Sequence, residues 1–295
     1  MEHLESAHVP VMTAEVLQWL APQPGGTIVD GTLGGGGHTL ALAERVGSTG
    51  LVLALDRDPG ALEKAERRLA GRSIKLAAAN YQDLGEVLAE IDVSSVDGIV
   101  LDLGLSSDQL VDRTRGFSFD SDGPLDMRFD TTSGEPAWRL LDRLTEKELA
   151  DVIYQFGEER FSRRIARNIV AARTSQPVRT AAQLSALVER SVPRTRSDAG
   201  RIHPATRTFQ AIRIAVNDEL RSLSTALDRF PEYLREGGRL AVISFHSLED
   251  RIVKGAFRDS PRYRALTKKP VRPSEQEIQR NPRARSAKLR VAERV

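Results

Sequence analysis

An open α/β sheet interrupted by an all-helical insertion is the fold this sequence predicts, and three observations predict it. Short apolar runs alternate with amphipathic stretches over the first hundred residues, the signature of strand-helix-strand units around a parallel sheet. A long polar loop and capped helices then replace that rhythm. Near the C-terminus a helix and a strand resume it.

Each element has its own warrant. Residues 27–29 form the first expected strand, and 38–46 the helix after it. Residues 51–55 give a second strand ending on Asp56, followed by a charged helix over about 59–70, whose Pro59 suits a first turn. Residues 74–79 and 98–101 complete four strands, the last running into Asp102 and the small-residue loop Gly104-Leu105-Ser106-Ser107. Residues 112–136, rich in Asp, Gly, Ser and Arg, read as a long loop of the kind that carries function. Helices follow. Thr145 and Glu148 have capping-box spacing, Leu149, Val152, Ile153 and Phe156 share a face, and Gly157 offers a stop. Phe161, Ile165 and Ile169 keep the helical period, and Thr180 with Gln183 opens another helix through Leu184, Leu187 and Val188. Ile212, Val216, Leu220, Leu223 and Leu227 predict one long helix, Gly237-Gly238 a turn, and 239–245 a strand ending on His246-Ser247-Leu248-Glu249-Asp250. A helix over about 251–257 and two extended pieces near 263–269 and 288–291, read as an antiparallel edge hairpin, end the chain. The expected division is a sheet domain of 1–112 and 204–295 holding an inserted helical, substrate-binding domain of 113–203.

With 295 residues, 40% of them hydrophobic and 28% charged, the chain can bury a sizeable core. It has no cysteine, which excludes disulfides, thiolate metal sites and cysteine nucleophiles. The first residues lack the basic and apolar regions of a signal peptide, and no window approaches the roughly 18 apolar residues of a membrane span, so a cytoplasmic enzyme is expected, with no membrane partner. The net charge of +2 hides a strong asymmetry. Residues 160–213 and 251–295 each carry +10, leaving −18 for the remainder. Such segments serve either as solvated helical faces or as a phosphate-binding footprint for nucleic acid.

The run Asp30-Gly31-Thr32-Leu33-Gly34-Gly35-Gly36-Gly37-His38 sits between a strand and a helix, where missing Cβ atoms let a ligand approach backbone N–H groups. The order of acids and glycines separates two nucleotide cofactors. Asp56, 20 residues after Gly36, suits a ribose in either class. The dinucleotide pattern Gly-x-Gly-x-x-Gly fails, however, because Thr39 stands in the third glycine position, and a carboxylate at Asp30 would repel a pyrophosphate. Asp30 can instead face the amino-acid part of S-adenosylmethionine, which is the cofactor expected. The open alternatives are an NAD-dependent oxidoreductase and a non-enzymatic RNA-binding factor using the two basic segments.

Several strings together carry a family resemblance: the glycine run, Leu55-Asp-Arg-Asp-Pro59, Asp102-Leu-Gly-Leu-Ser-Ser107, Arg115-Gly-Phe-Ser-Phe119, Gly123-Pro-Leu-Asp-Met-Arg128, His203-Pro-Ala-Thr-Arg207 and Ser244-Phe-His-Ser-Leu-Glu-Asp250. From His8-Val9-Pro10-Val11 almost to its end the chain resembles the RsmH (MraW) family of bacterial ribosomal RNA methyltransferases. The resemblance implies a class I (Rossmann-like) S-adenosylmethionine-dependent methyltransferase with an inserted helical domain. It also implies that the N4 amine of a cytidine in the decoding region of 16S rRNA, presented in the small ribosomal subunit, is the acceptor, and it implies no stable protein partner. It places Gly36, Gly37, His38, Asp56, Tyr81, Asp102 and Gln109 at the cofactor, with Asp56 on the ribose and Tyr81 against the adenine. Without it, Tyr81 reads equally as a core aromatic and Gln109 as a surface residue.

Two departures from the general class I pattern accompany the resemblance. Thr32 replaces the first glycine of Asp-x-Gly-x-Gly-x-Gly, and Asp102-Leu-Gly-Leu stands where amine-methylating enzymes often carry Asp/Asn/Ser-Pro-Pro-aromatic. The catalytic acceptor is therefore unassigned, with Asp102 a candidate. Phe117 and Phe119 serve either as faces for an unstacked base or as core. His246 beside Glu249 reads as structural, and no metal is expected.

Overall fold

The protein is described by a computed structural model covering residues 10–193 and 203–295. His8 and Val9 of the first motif, and Arg194, Arg196, Asp198 and Arg201 of the first basic segment, lie outside the described residues. The chain divides into two compact units, residues 1–108 with 220–295, and residues 109–219.

The first unit is built on a seven-stranded sheet of order β3-β2-β1-β4-β5-β7-β6. Its strands are β1 (Thr27–Asp30), β2 (Leu51–Asp56), β3 (Ile74–Ala78), β4 (Val96–Asp102), β5 (Leu234–Ser244), β6 (Tyr263–Ala265) and β7 (Lys288–Arg294). β1 to β5 run parallel; β7 pairs antiparallel with both β5 and β6, which is the edge hairpin expected from the sequence. The sheet is covered on both faces, because its strands alternate between two cores. Val29, Leu53, Ile99, Leu101 and Val242 pack under α4 (Leu84–Glu90), α11 (Glu219–Tyr233) and α12 (Ser247–Asp259). Ile28, Val52, Val100, Ala241 and Ile243 pack under α1 (Thr13–Leu20) and α2 (Gly37–Val46), while α3 (Pro59–Leu69) buries Ala65 and Leu69 against Ala54. Parallel strands buried on both faces read as continuous apolar runs, as these do. β5 starts five residues earlier than expected; Gly237, at φ 74°, lies in an irregular stretch where its pairing with β4 shifts register.

The short α5 (Ser107–Val111) leads into the second unit. There α6 (Ala137–Arg143), α7 (Glu146–Gly157), α8 (Ser162–Arg173), α9 (Ala181–Ser191) and α10 (Thr206–Asn217) form a helical body; the expected capping box is present at Thr145, and the helix start expected at Thr180 is a capping box too. Gly157 does not act as the stop. It is the last helical residue, and a Cβ there would come within 2.5 Å of the Arg207 carbonyl oxygen, so glycine is needed for α7 to approach α10; the left-handed residue that ends the helix is Glu158, at φ 50°. The loop before α6 is ordered by its own polar contacts: Arg115 donates to the carbonyls of Arg128 and Phe129, and Asp126 grips Arg128 through two 2.8 Å hydrogen bonds.

The single long helix expected around 212–227 is two helices. Asp218 adopts φ 52° between α10 and α11. Asn217 holds the break, since its buried amide accepts from Phe129 N–H at 2.7 Å and donates to the Met127 carbonyl at 2.7 Å. Helical periodicity continues across the interruption because both segments are amphipathic. The compact unit that holds α10 runs to Glu219, since α10 packs on α7. Asn217→Ala should destabilise the protein by about 2–4 kcal/mol, because two buried backbone groups lose their partner. A lowered urea midpoint with unchanged m-value is the expected reading.

Candidate cofactor and acceptor site

The strand order reverses between β1 and β4, and ligands of open α/β sheets bind outside the carboxyl ends of strands at such a switch point. Asp30 ends β1, Asp56 ends β2, and Asp102 ends β4, so the sheet itself gathers the acids read from the sequence. Tyr81 opens a single 3₁₀ turn after β3, with its Cβ 3.1 Å from where a Cβ on Gly31 would stand.

The glycine loop is shaped by hydrogen bonds to those acids. Gly34 and Gly36 take φ values of 49° and 75°, and Gly36 is the N-cap of α2. Gly37 opens the helix against Pro10, whose ring would lie 2.6 Å from an added Cβ. Asp56, half-buried, accepts from Gly34 N–H at 2.8 Å and from Asp58 N–H at 2.9 Å. Burial outweighs these bonds and pushes its carboxyl up to about 6. Thr32 explains the departure from glycine: its hydroxyl accepts from Asp102 N–H at 2.6 Å, bridging the loop to β4 across the switch point. Thr32, Thr39 and Arg68, which donates to the Gly35 carbonyl, hold the loop without any sequence signal that marks them.

Asp30 does not present its carboxylate to a ligand, contrary to the expectation from its position before the glycines. It is fully buried, and its two oxygens accept from Thr39 Oγ at 2.6 Å and Thr32 N–H at 3.1 Å. Burial raises its carboxyl above the ordinary range, against the opposing pull of His38 and of these hydrogen bonds. Asp30 therefore braces the loop from beneath.

His38 and Asp102 face each other beside the glycine loop. His38, on the first turn of α2, is 4% exposed, and its Nε2 lies 3.5 Å from Asp102 Oδ2, too long for a strong hydrogen bond. Burial opposes charge on the imidazole, but Asp102 and Asp30 prevail and hold its pKa above the usual value. The buried Asp102 Oδ1 has no hydrogen-bond partner among the described residues. Buried polar atoms are nearly always satisfied, so an orphaned carboxylate oxygen beside a glycine cradle fits a site completed by ligand donors. The donor set suits S-adenosylmethionine: backbone N–H groups and carboxylates for an amino acid and a ribose. Gln109, the remaining expected contact, is buried on α5 as the first residue of the second unit. His246 is the N-cap of α12, in a reciprocal box with the buried Glu249.

The basic segments are only partly surface. In the second unit Arg173 donates to the carbonyls of Leu141 and Leu144, Arg179 pairs with Asp142, and Arg213 with Glu219. Arg160, Arg163 and Arg164, at the start of α8, are exposed with no acidic partner among the described residues. In the first unit the same holds for Lys268, Lys269, Arg272, Arg280, Arg283 and Arg285. Phe117 is core, 4% exposed and 5.9 Å from the Phe129 ring. Phe119 stacks on His203 at 4.6 Å and meets Phe209 edge-on at 4.8 Å.

The MraW methylase family profile matches residues 5–295. A curated "Ribosomal RNA small subunit methyltransferase H" from Rhodopirellula baltica is 52% identical over 302 residues, covering 99% of this chain and 92% of that one. Proteins of the same name from Thermomicrobium roseum and Geobacter sulfurreducens are each 49% identical, covering 99% and 98% of this chain and 95% and 99% of theirs.

Proposed function

This chain belongs to the MraW methylase family of S-adenosylmethionine-dependent methyltransferases, and on that premise we propose that its acceptor is the N4 amine of a cytidine in the decoding region of 16S rRNA, presented by the small ribosomal subunit in the cytoplasm. The observation that carries an amine-methylating reading is Asp102 Oδ1, a buried carboxylate oxygen at the carboxyl end of β4 with no partner among the described residues. The names of the relatives supply the class of RNA, and the exposed arginines of α8 and the cations of 268–285 supply charge that suits phosphate.

S-adenosylmethionine supplies a methyl group already activated on sulfur, so that one in-line displacement forms the N–C bond, breaks the C–S bond and leaves S-adenosylhomocysteine. The protein has then to place the amine and receive its proton. Gly36, Gly37 and His38 hold the amino-acid end, Asp56 accepts from the ribose hydroxyls, and Tyr81 lies against the adenine. Asp102 takes the N–H hydrogen bond of the amine and then its proton. Transfer from labelled cofactor to small subunits lacking the modification, followed by nucleoside analysis, tests this reading. Label in N4-methylcytidine is the expected result; label in another nucleoside, or none, overturns it.

Cofactor affinity should also depend on pH. Only an ionised Asp56 accepts freely from two hydroxyls, and its carboxyl titrates at about 6. Protonation therefore competes with the ribose as pH falls. Affinity for S-adenosylhomocysteine should be flat above pH 7 and weaken about tenfold by pH 5, one pH unit below that value. Calorimetric titration reads this directly, with Asp56→Asn as the pH-insensitive control.

A further inference from the structure

We infer that Phe245 is the aromatic face on which the target base stacks, replacing the aromatic that follows the acid in other amine methylating enzymes. The inference rests on the proposed function and concerns the same site. After Asp102 this chain reads Leu103-Gly104-Leu105, and Leu103 is buried in the core at 6% exposure, so β4 offers no ring of its own. The neighbouring strand does. β4 and β5 run parallel with Asp102 opposite Ile243, and Leu103 N–H donates to the Ile243 carbonyl at 3.0 Å. Two residues further on, this register sets Gly104 beside Phe245, where the absent glycine Cβ would stand 3.8 Å from Phe245 Cδ2.

Gly104 has φ 97°, a conformation other residues rarely adopt, and as glycine it places no side chain beside the ring. Phe245 is itself half-buried, packed on one side against the core beneath Ile243. Its backbone N–H donates to Glu249 Oε2 at 2.9 Å, and Glu249 is the buried N3 residue of the capping box of α12. The backbone of Phe245 is thus held at the carboxyl edge of the sheet, one strand from the orphaned Asp102 oxygen. Adjacent strands lie about 4.8 Å apart, the scale of a pyrimidine whose ring stacks while its exocyclic amine reaches a carboxylate. A base taken out of its helix loses its stacking neighbours, and an aromatic face restores part of that loss.

The test uses the full chain with small subunits lacking the modification. Phe245→Leu and Phe245→Met keep an apolar side chain without a π face, and Phe245→Tyr keeps the face. Both apolar variants should lose roughly 5–150-fold in kcat/KM for methyl transfer, the range expected for one base–aromatic stack. Their affinity for S-adenosylhomocysteine should stay within about twofold of the parent, and Phe245→Tyr should recover most of the activity. Parental kcat/KM in either apolar variant overturns the inference, as does a loss matched by an equal loss of S-adenosylhomocysteine affinity or not recovered by tyrosine. If the parent binds S-adenosylhomocysteine but leaves cytidine N4 unmethylated, the functional reading fails, and this inference with it; if the parent is active and Phe245→Leu equals it, only the stacking role falls.

Discussion

Asp102→Ala is expected to lower the rate of methyl transfer at saturating cofactor by roughly 10²–10⁴-fold, the range for a positioned proton acceptor. The lone pair of an exocyclic cytosine amine is drawn into the ring, so the nitrogen is a poor nucleophile until an N–H hydrogen bond returns density to it. A carboxylate oxygen without another partner is suited to that task, and Asp102 Oδ1 is one. Its position is not adjustable. Its backbone N–H is held by Thr32 Oγ at 2.6 Å, and His38 lies 3.5 Å from the other oxygen. Asp102→Asn should fall between parent and alanine, since the amide oxygen still accepts a hydrogen bond but cannot take the proton at neutral pH. Single-turnover transfer, with melting temperature as the folding control, separates chemistry from binding. A parental rate in Asp102→Ala would remove Asp102 as the acceptor, leaving His38 as the nearest alternative.

Much of the sheet was legible because both of its signals are local. Apolar runs ending on Asp30, Asp56 and Asp102 follow from strands buried on two faces, and the edge hairpin follows from alternating extended pieces. Local pattern is insufficient where a distant group sets the conformation. Asn217 breaks a helix by binding Phe129 and Met127, some ninety residues earlier, and no periodicity in 206–233 records that. Gly157 has the residue type of a helix stop, yet its cause is the Arg207 carbonyl. Within the site, Asp30 stands before the glycines as a ligand-facing acid would, but its hydrogen bonds from Thr39 and Thr32, which no local pattern records, make it a brace. Charge counting had the same limit: +10 in a segment says nothing of which arginines are spent on carbonyls, as Arg173 is.

Asp56→Asn should separate stability from cofactor binding more sharply than any other single change at the site. The carboxyl of Asp56 is raised from an ordinary 3.8 to about 6. A raised acid is a liability once it ionises: the folded state resists losing the proton, so stability falls as pH rises from about 4 to 6 and stays lower above that. The cost is at most about 3 kcal/mol by linkage, less for a half-buried group. The amide variant removes the buried charge and keeps one acceptor for Gly34 N–H or Asp58 N–H. Losing the second of those hydrogen bonds costs about 1 kcal/mol. The balance predicts that Asp56→Asn melts no lower than the parent at pH 8, and that any gain disappears near pH 4, where the parental carboxyl is already protonated. Cofactor binding should move the other way. Charge-assisted hydrogen bonds to ribose hydroxyls contribute roughly 1.5–3 kcal/mol each, so losing the charge should weaken S-adenosylhomocysteine binding by about 10²-fold or more. Melting curves at pH 8 and pH 4 with and without ligand measure both effects. A variant that is less stable at pH 8 yet binds as the parent does would assign Asp56 to the loop alone, and the ribose would then need another partner on β2 or after it.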